Sequence, residues 1–332
     1  MTHVKLSRIS RMVSRLILIA CAGCSAGTLG SDLGGTVDGS ASGDLAQTQS
    51  GHAIKTVFLI LMENHNWSDI HGNTGSAPYI NSTLLPMAAR AEKYFNPPSI
   101  HPSEPNYLWL EAGTNFGVLD DNPPSANHQS STAHLATLLQ NANITWRSYQ
   151  EDITAGVCPL TPVGHYAPKH NPFVFFDDST GNRTASDPYC IAHNRPMTEL
   201  NTDLTANTVA RYNFLTPNLC NDMHDSCSPT NDNIRQGDNW LASTVPLIMA
   251  STAYQNGGAI FITWDESEGG PPDVPIGMIV VSAAAKAGSY AGMVNYTHSS
   301  MLRTTQEIFG VTPFLGDAAQ ATDLSDLFTV FP

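Results

Sequence analysis

The sequence predicts an α/β protein, a three-layer α/β/α sandwich around a mostly parallel central sheet, from three observations. Lys55-Thr-Val-Phe-Leu-Ile-Leu-Met62 is a continuous apolar run with β-branched members, the pattern of a strand covered on both faces. Ala259-Ile-Phe-Ile-Thr-Trp264 repeats that pattern near the other end of the chain. Between and after them, short apolar runs alternate with segments whose apolar residues recur at helical spacing, the order of a layered α/β fold.

The chain opens with an export signal. Lys5, Arg8, Arg11 and Arg15 precede a short apolar run, Leu16 to Ala20, that ends in small residues. Leu18-Ile19-Ala20-Cys21 resembles a bacterial lipobox, in which the cysteine becomes the acylated N-terminus; Cys24 is a poorer candidate, and an ordinary cleaved signal without lipid is the alternative. The signal is assigned to residues 1–24. Residues 25–51 are Gly, Ser, Thr, Asp and Ala with almost no large apolar side chain, so they cannot offset the entropy of ordering and read as a flexible tether. Residues 52–332 form the folded body, read as one domain. With 41% hydrophobic and 13% charged residues overall, the chain can bury a large core. No run in the body approaches bilayer-spanning length, so contact with a membrane is expected only through the N-terminal lipid anchor.

Within the body, Ile144 to Tyr149, Arg211 to Thr216 and Ile276 to Ser282 are further strand candidates. Tyr79 to Tyr94 and Ser130 to Gln140 carry apolar residues at helical spacing, Tyr107 to Gly113 reads as a helix stopped by glycine, and Ser299 to Phe309 ends at Gly310 in a capping position. The net charge is −14 at pH 7, and loss of the basic leader makes it more negative. Such a surface repels polyphosphates and argues against nucleic acid as a partner. A single phosphate group then needs a locally positive pocket, which a bound cation supplies most simply.

Cys158, Cys190, Cys220 and Cys227 remain once Cys21 and Cys24 are set aside, an even number in an exported chain. Three pairings are open; the short Cys220 to Cys227 loop favours a local bridge there and Cys158 to Cys190 as the other. A zinc cluster lacks the close Cys-x-x-Cys spacing it would need.

Chemistry concentrates at the ends of the two buried strands. The first stops at Glu63-Asn64-His65 and the second at Asp265-Glu266, about 200 residues further on. In open parallel sheets ligands bind outside the carboxyl ends of strands, where these acids can converge. Any one such acid, or Asn64 in a turn, has a plain surface role as its alternative. Ser103, within His101-Pro-Ser-Glu-Pro-Asn106, falls at the expected N-cap of the Tyr107 to Gly113 helix. Capping alone would explain a serine there, yet a helix N-terminus also favours phosphate oxygens.

These motifs, with Ala77-Pro-Tyr-Ile-Asn81, Tyr166-Ala-Pro-Lys-His170, Asn221-Asp-Met-His-Asp225 and His298-Ser-Ser-Met-Leu-Arg303, resemble the phosphoesterase family of bacterial acid phosphatases and phospholipases C, in the alkaline-phosphatase-like superfamily. The likeness spans about residues 55 to 312 and is greatest to the short secreted acid phosphatases. It implies a divalent metal held by Glu63, Asn64, Ser103, Asp265 and Glu266, its identity open among Ca, Mg, Mn and Zn. Ser103 matches the nucleophile, Asn106 the group holding a phosphate oxygen, and His170 and His224 the histidines lining the phosphate site. His101, Lys169, Asp222 and His298 are secondary candidates. His65, His71, His128, His134, His165 and His193 carry no functional expectation.

The implied function is an exported phosphomonoesterase acting on small phosphate monoesters or phosphoinositides through a phosphoserine. A phospholipase C or other phosphodiesterase is the alternative, disfavoured because the body lacks room for the long additional segments of the larger phospholipases. An inactive binding lipoprotein on the same fold is disfavoured by the intact candidate set. A Ser-His-Asp esterase lacks its Gly-x-Ser-x-Gly elbow.

Overall fold

A computed structural model describes residues 51–332; the segments read from sequence as an export signal and, but for its last residue, as a tether lie outside the described residues. Thr56–Met62 (β1) is buried along its whole length. It lies between two parallel neighbours, Tyr212–Thr216 (β6) and Gly258–Trp264 (β7). Parallel strands follow outward from β6 as Trp146–Gln150 (β4) and Asn194–Pro196 (β5). On the other side Met278–Ser282 (β8) pairs antiparallel with β7 and with Ala89–Ala91 (β2), and Ala291–Gly292 (β9) completes the eight-stranded sheet. Tyr94–Phe95 (β3) and Tyr296–Thr297 (β10) form a separate two-stranded pair.

Helices cover both faces. Ser103–Ala112 (α1), Leu135–Asn141 (α2) and His298–Phe309 (α5) pack together on one side, and Leu200–Ala206 (α3) packs with the 18-residue helix Asn233–Ala250 (α4) on the other. The three-layer sandwich and the mostly parallel sheet are therefore as the sequence predicts. Gly113 and Gly310 close α1 and α5 in the left-handed region, φ 67° and 63°, where a side chain is strained. Both disulfides form as the spacing favours, Cys158–Cys190 and Cys220–Cys227. No helix among the described residues is long and apolar enough to cross a membrane.

Three local expectations are corrected. The helical pattern read over Tyr79 to Tyr94 ends at Met87; Ala88 is extended, and the chain passes into β2 and then β3, because pairing with β8, β9 and β10 satisfies its backbone better than another helical turn. The helix expected from Ser130 begins only at Leu135, since Gln129 bridges to Phe176 and holds the preceding segment extended. Finally, α4 has no counterpart in the sequence reading. Gly237 and Pro246 both sit inside it.

Candidate active site

The register of the central strands brings the two acidic endings together. Met62 is paired with Trp264, and the Asp265 N–H donates to the Met62 carbonyl at 3.0 Å, so Glu63 and Asp265 leave adjacent parallel strands side by side. A third segment joins them. The Glu63 N–H donates to the Asp222 carbonyl at 2.7 Å, drawing in the loop closed by Cys220–Cys227. Glu63, Asp222 and Asp265 are fully buried, and Asn64, next in sequence, is half-buried.

Ser103 is the first residue of α1 rather than its N-cap, a position taken by Pro102. Its hydroxyl therefore has no capping role and instead donates to Glu63 Oε2 at 3.0 Å. Capping falls partly to Asp121, whose Oδ1 accepts the Glu104 N–H at 3.0 Å. One turn along α1, on the same face as Ser103, the Tyr107 hydroxyl donates to Glu63 Oε1 at 2.6 Å. Asn106 is buried, and its Nδ2 is shared among the carbonyls of Ile100 and Pro102 and Glu266 Oε2, at 3.0 to 3.1 Å. Its Oδ1 has no partner.

His170 stacks on Tyr107, with ring centres 5.2 Å apart, and lies between two acids. Its Nε2 is 3.1 Å from Glu63 Oε1 and its Nδ1 is 3.2 Å from Asp222 Oδ2, although Nε2 and Oδ2 are off hydrogen-bond geometry. The His224 ring stands 5.7 Å from that of His170, half-exposed, with Nδ1 2.7 Å from Asp225 Oδ1. Lys169 donates to Asp121 Oδ2 at 2.9 Å. Glu266 meets His101 Nδ1 at 2.6 Å, and His101 Nε2 meets Asp273 Oδ1 at 2.9 Å, a carboxylate–imidazole–carboxylate row leading outward. His298 is buried behind the site, its Nε2 2.5 Å from the Asp265 carbonyl and its Nδ1 3.1 Å from the Tyr94 hydroxyl.

So many acids in one buried place disfavour their own ionisation. Burial raises the pKa of Glu63, an effect that Lys169 opposes. Burial and then the Glu63 charge raise Asp222 and Asp265 well above the usual carboxylate range and push Glu266 up to about 8. Burial holds His170 well below its ordinary value, toward the neutral form. It also pushes His298 down to about 4. Lys169 is held above its usual value because Glu63 and Asp121 outweigh its burial.

This donor set fits a divalent cation. Both carboxylate oxygens of Asp265, Oδ2 of Asp222, Oδ1 of Asn106 and Nε2 of His170 are buried with no hydrogen-bond partner among the described residues. Partnerless buried acceptors are costly, and lone pairs converging on one place are what a hard or borderline metal ion relieves. Within this cluster Glu63, His170 and Asp222 present ligand atoms within 4.8 Å of one another.

The contacts above gather Glu63, Ser103, Asn106, His170, Asp222, His224, Asp265 and Glu266 with His101, Lys169 and His298 around the carboxyl ends of β1 and β7, and Asn64 adjoins them in sequence. Tyr107, Asp121, Asp225 and Asp273 were missed. Tyr107 reads as a core aromatic, and the three aspartates lie in loops without diagnostic spacing; only the Asp-Met-His-Asp225 run hinted at a partnered histidine.

Comparison with known proteins places the chain in a family. The chain is 31% identical over 272 residues to the phosphatidylinositol-3-phosphatase of Mycobacterium tuberculosis, covering 82% of each protein. It is 33% identical over 173 residues to an acid phosphatase of Aspergillus fumigatus, covering 50% of this chain but 36% of that one. The fold is similar to that of murine ectonucleotide pyrophosphatase/phosphodiesterase 5, with TM-score 0.54, 9% identity, and coverage of 83% of this chain and 100% of the other. It is also similar to the phosphonate monoester hydrolase of Silicibacter pomeroyi, with TM-score 0.52, 11% identity, and coverage of 84% and 77%. At such identities these two likenesses speak for the alkaline-phosphatase-like fold alone. Residues 88–312 match the Phosphoesterase family, and the chain belongs to that family of hydrolases acting on phosphoric ester bonds.

Proposed function

We propose that this chain is an exported, divalent-metal-dependent phosphomonoesterase that works through a phosphoserine at Ser103. The observation that carries the reading is the hydroxyl at the start of α1 donating to Glu63, beside the partnerless carboxylate oxygens of Asp265. Glu63, Asn64, Asp265 and Glu266 would hold the cation together with Ser103, with Asp222 adjoining. When bound, it supplies positive charge that favours the serine alkoxide and offsets the phosphoryl oxygens.

The remaining roles follow from the chain's own side chains. Ser103 Oγ attacks phosphorus, its proton passing toward Glu63, and the bond from phosphorus to the ester oxygen breaks. Asp225 holds the Nδ1–H of His224, which leaves Nε2 to carry a proton to the departing oxygen. Water then cleaves the phosphoserine. Lys169 and the start of α1 favour the negative phosphoryl group. Asn106 has its N–H groups committed to backbone and Glu266, so it serves first to hold Glu266 against α1. Phosphoinositides join small monoesters as candidate substrates through the mycobacterial relative. Export rests on the leader and the two disulfides, and a lipid anchor on Cys21.

Ser103→Ala tests the mechanism. Release of p-nitrophenol from its phosphate monoester should vanish, and phosphoserine 103 should disappear from acid-quenched protein; persistent turnover rules the nucleophile out. Faster cleavage of p-nitrophenyl phosphorylcholine than of the monoester would instead favour the diesterase.

A further inference from the structure

The segments that follow β1 and β7 meet a second time, away from Ser103. His65 is only 6% exposed. Its Nε2 lies 3.2 Å from the Met223 carbonyl, which accepts, and 3.3 Å from Asn233 Nδ2, which also donates to that carbonyl at 2.7 Å, so either ring tautomer is satisfied on the Nε2 side. That Nδ1 is buried without a hydrogen-bond partner. It faces carboxylates: Glu268 Oε2 is 3.6 Å away, and an oxygen of Asp69 completes a set of three donor atoms lying within 4.8 Å of one another. Among the described residues neither carboxylate side chain accepts a hydrogen bond.

A cation bound at Nδ1 satisfies this buried, partnerless nitrogen and offsets the two carboxylates together. The spacing suits a metal: two donors each about 2.1 Å from a tetrahedral ion stand about 3.4 Å apart. The three residues also line a solvent-open cleft of about 640 Å³, which gives an ion a way in.

We propose that His65, Asp69 and Glu268 form a second divalent-cation site, separate from the Ser103 cluster. One imidazole nitrogen with two carboxylate oxygens suits zinc or manganese better than calcium or magnesium, which prefer oxygen throughout. The site shares no residue with the first cluster, but His65 follows Asn64, and Glu268 lies two residues beyond Glu266. An ion here ties together the two loops that carry the first cluster, which Asn66 Oδ1 already links by accepting the Glu268 N–H at 3.0 Å.

The test is calorimetric titration of metal-stripped protein with Zn²⁺ alone. The double variant Asp69→Asn/Glu268→Gln, altered at half-buried and exposed positions, should bind one equivalent fewer than the wild type. Its metal-free melting temperature should match the wild type's, while the rise that Zn²⁺ produces should shrink. Equal stoichiometry in the two proteins overturns the site. If the Ser103 cluster takes no metal, the wild type binds one equivalent and the double variant none, which upholds this site and defeats only the metal at the other.

Discussion

The phenol of Tyr107 donates to Glu63 Oε1 at 2.6 Å from the same helix face whose first residue, Ser103, donates to Oε2. Both oxygens of one buried carboxylate are thus aimed from a single rigid element. A hydrogen bond to a charged acceptor contributes about 1.5–3 kcal/mol. Tyr107→Phe should therefore lower kcat/KM for p-nitrophenyl phosphate by roughly ten- to a hundredfold. The ring can still stack on His170, so the fold should persist with a melting temperature lowered by only a few degrees. Unaltered kinetics would remove Tyr107 from the site's support.

Chelation should silence the enzyme, and one divalent ion should restore it. The partnerless oxygens of Asp222 and Asp265 lose their counter-charge once the ion leaves, so the melting temperature should fall as well. Activity that survives exhaustive chelation excludes the metal mechanism.

The two disulfides should separate in their effects. Cys158–Cys190 closes a separation of 32 residues and Cys220–Cys227 one of 7. Chain entropy then assigns about 4 kcal/mol to the first and about 2 to 3 kcal/mol to the second. The short loop, however, holds Asp222, His224 and Asp225. Cys220→Ala/Cys227→Ala should chiefly depress kcat, and Cys158→Ala/Cys190→Ala chiefly the melting temperature; the reverse order contradicts the placement of His224 in the chemistry.

Glu111 supplies a pH signature remote from the pocket. Burial pushes its carboxyl from 4.5 up to about 8, against the opposing hydrogen bond from the Tyr212 hydroxyl. Between those values the folded protein keeps a proton that the unfolded chain has released, so stability declines as pH rises, by at most about 1.4 kcal/mol per unit. Glu111→Gln removes this contribution. Its melting temperature should decline less than the wild type's from about pH 5 to about pH 8. Parallel profiles would show that Glu111 is ionised in the folded state.

The sheet was legible because β1 and β7 are buried on every residue and stop abruptly at polar ones. The same endings disclosed Glu63 and Asp265. Helix α4 was not legible, since glycine and proline inside it break local helical grammar. Its reason is tertiary: a Cβ on Gly237 would lie 2.3 Å from Met223 Cγ, so a larger residue there would force the Met223 side chain to move. The relation between His65 and Glu268 was equally hidden. Only strand register makes neighbours of residues so far apart in sequence, and periodicity carries no register.

The position of β1 between β6 and β7 also governs how the enzyme comes into being. Its first strand finds its second partner only after residue 258 has been synthesised, so most of the polypeptide must emerge before any pocket exists. A product truncated ahead of that point would expose an apolar seven-residue edge with unpaired backbone groups, a template for aggregation. Activity therefore appears all at once and late in synthesis.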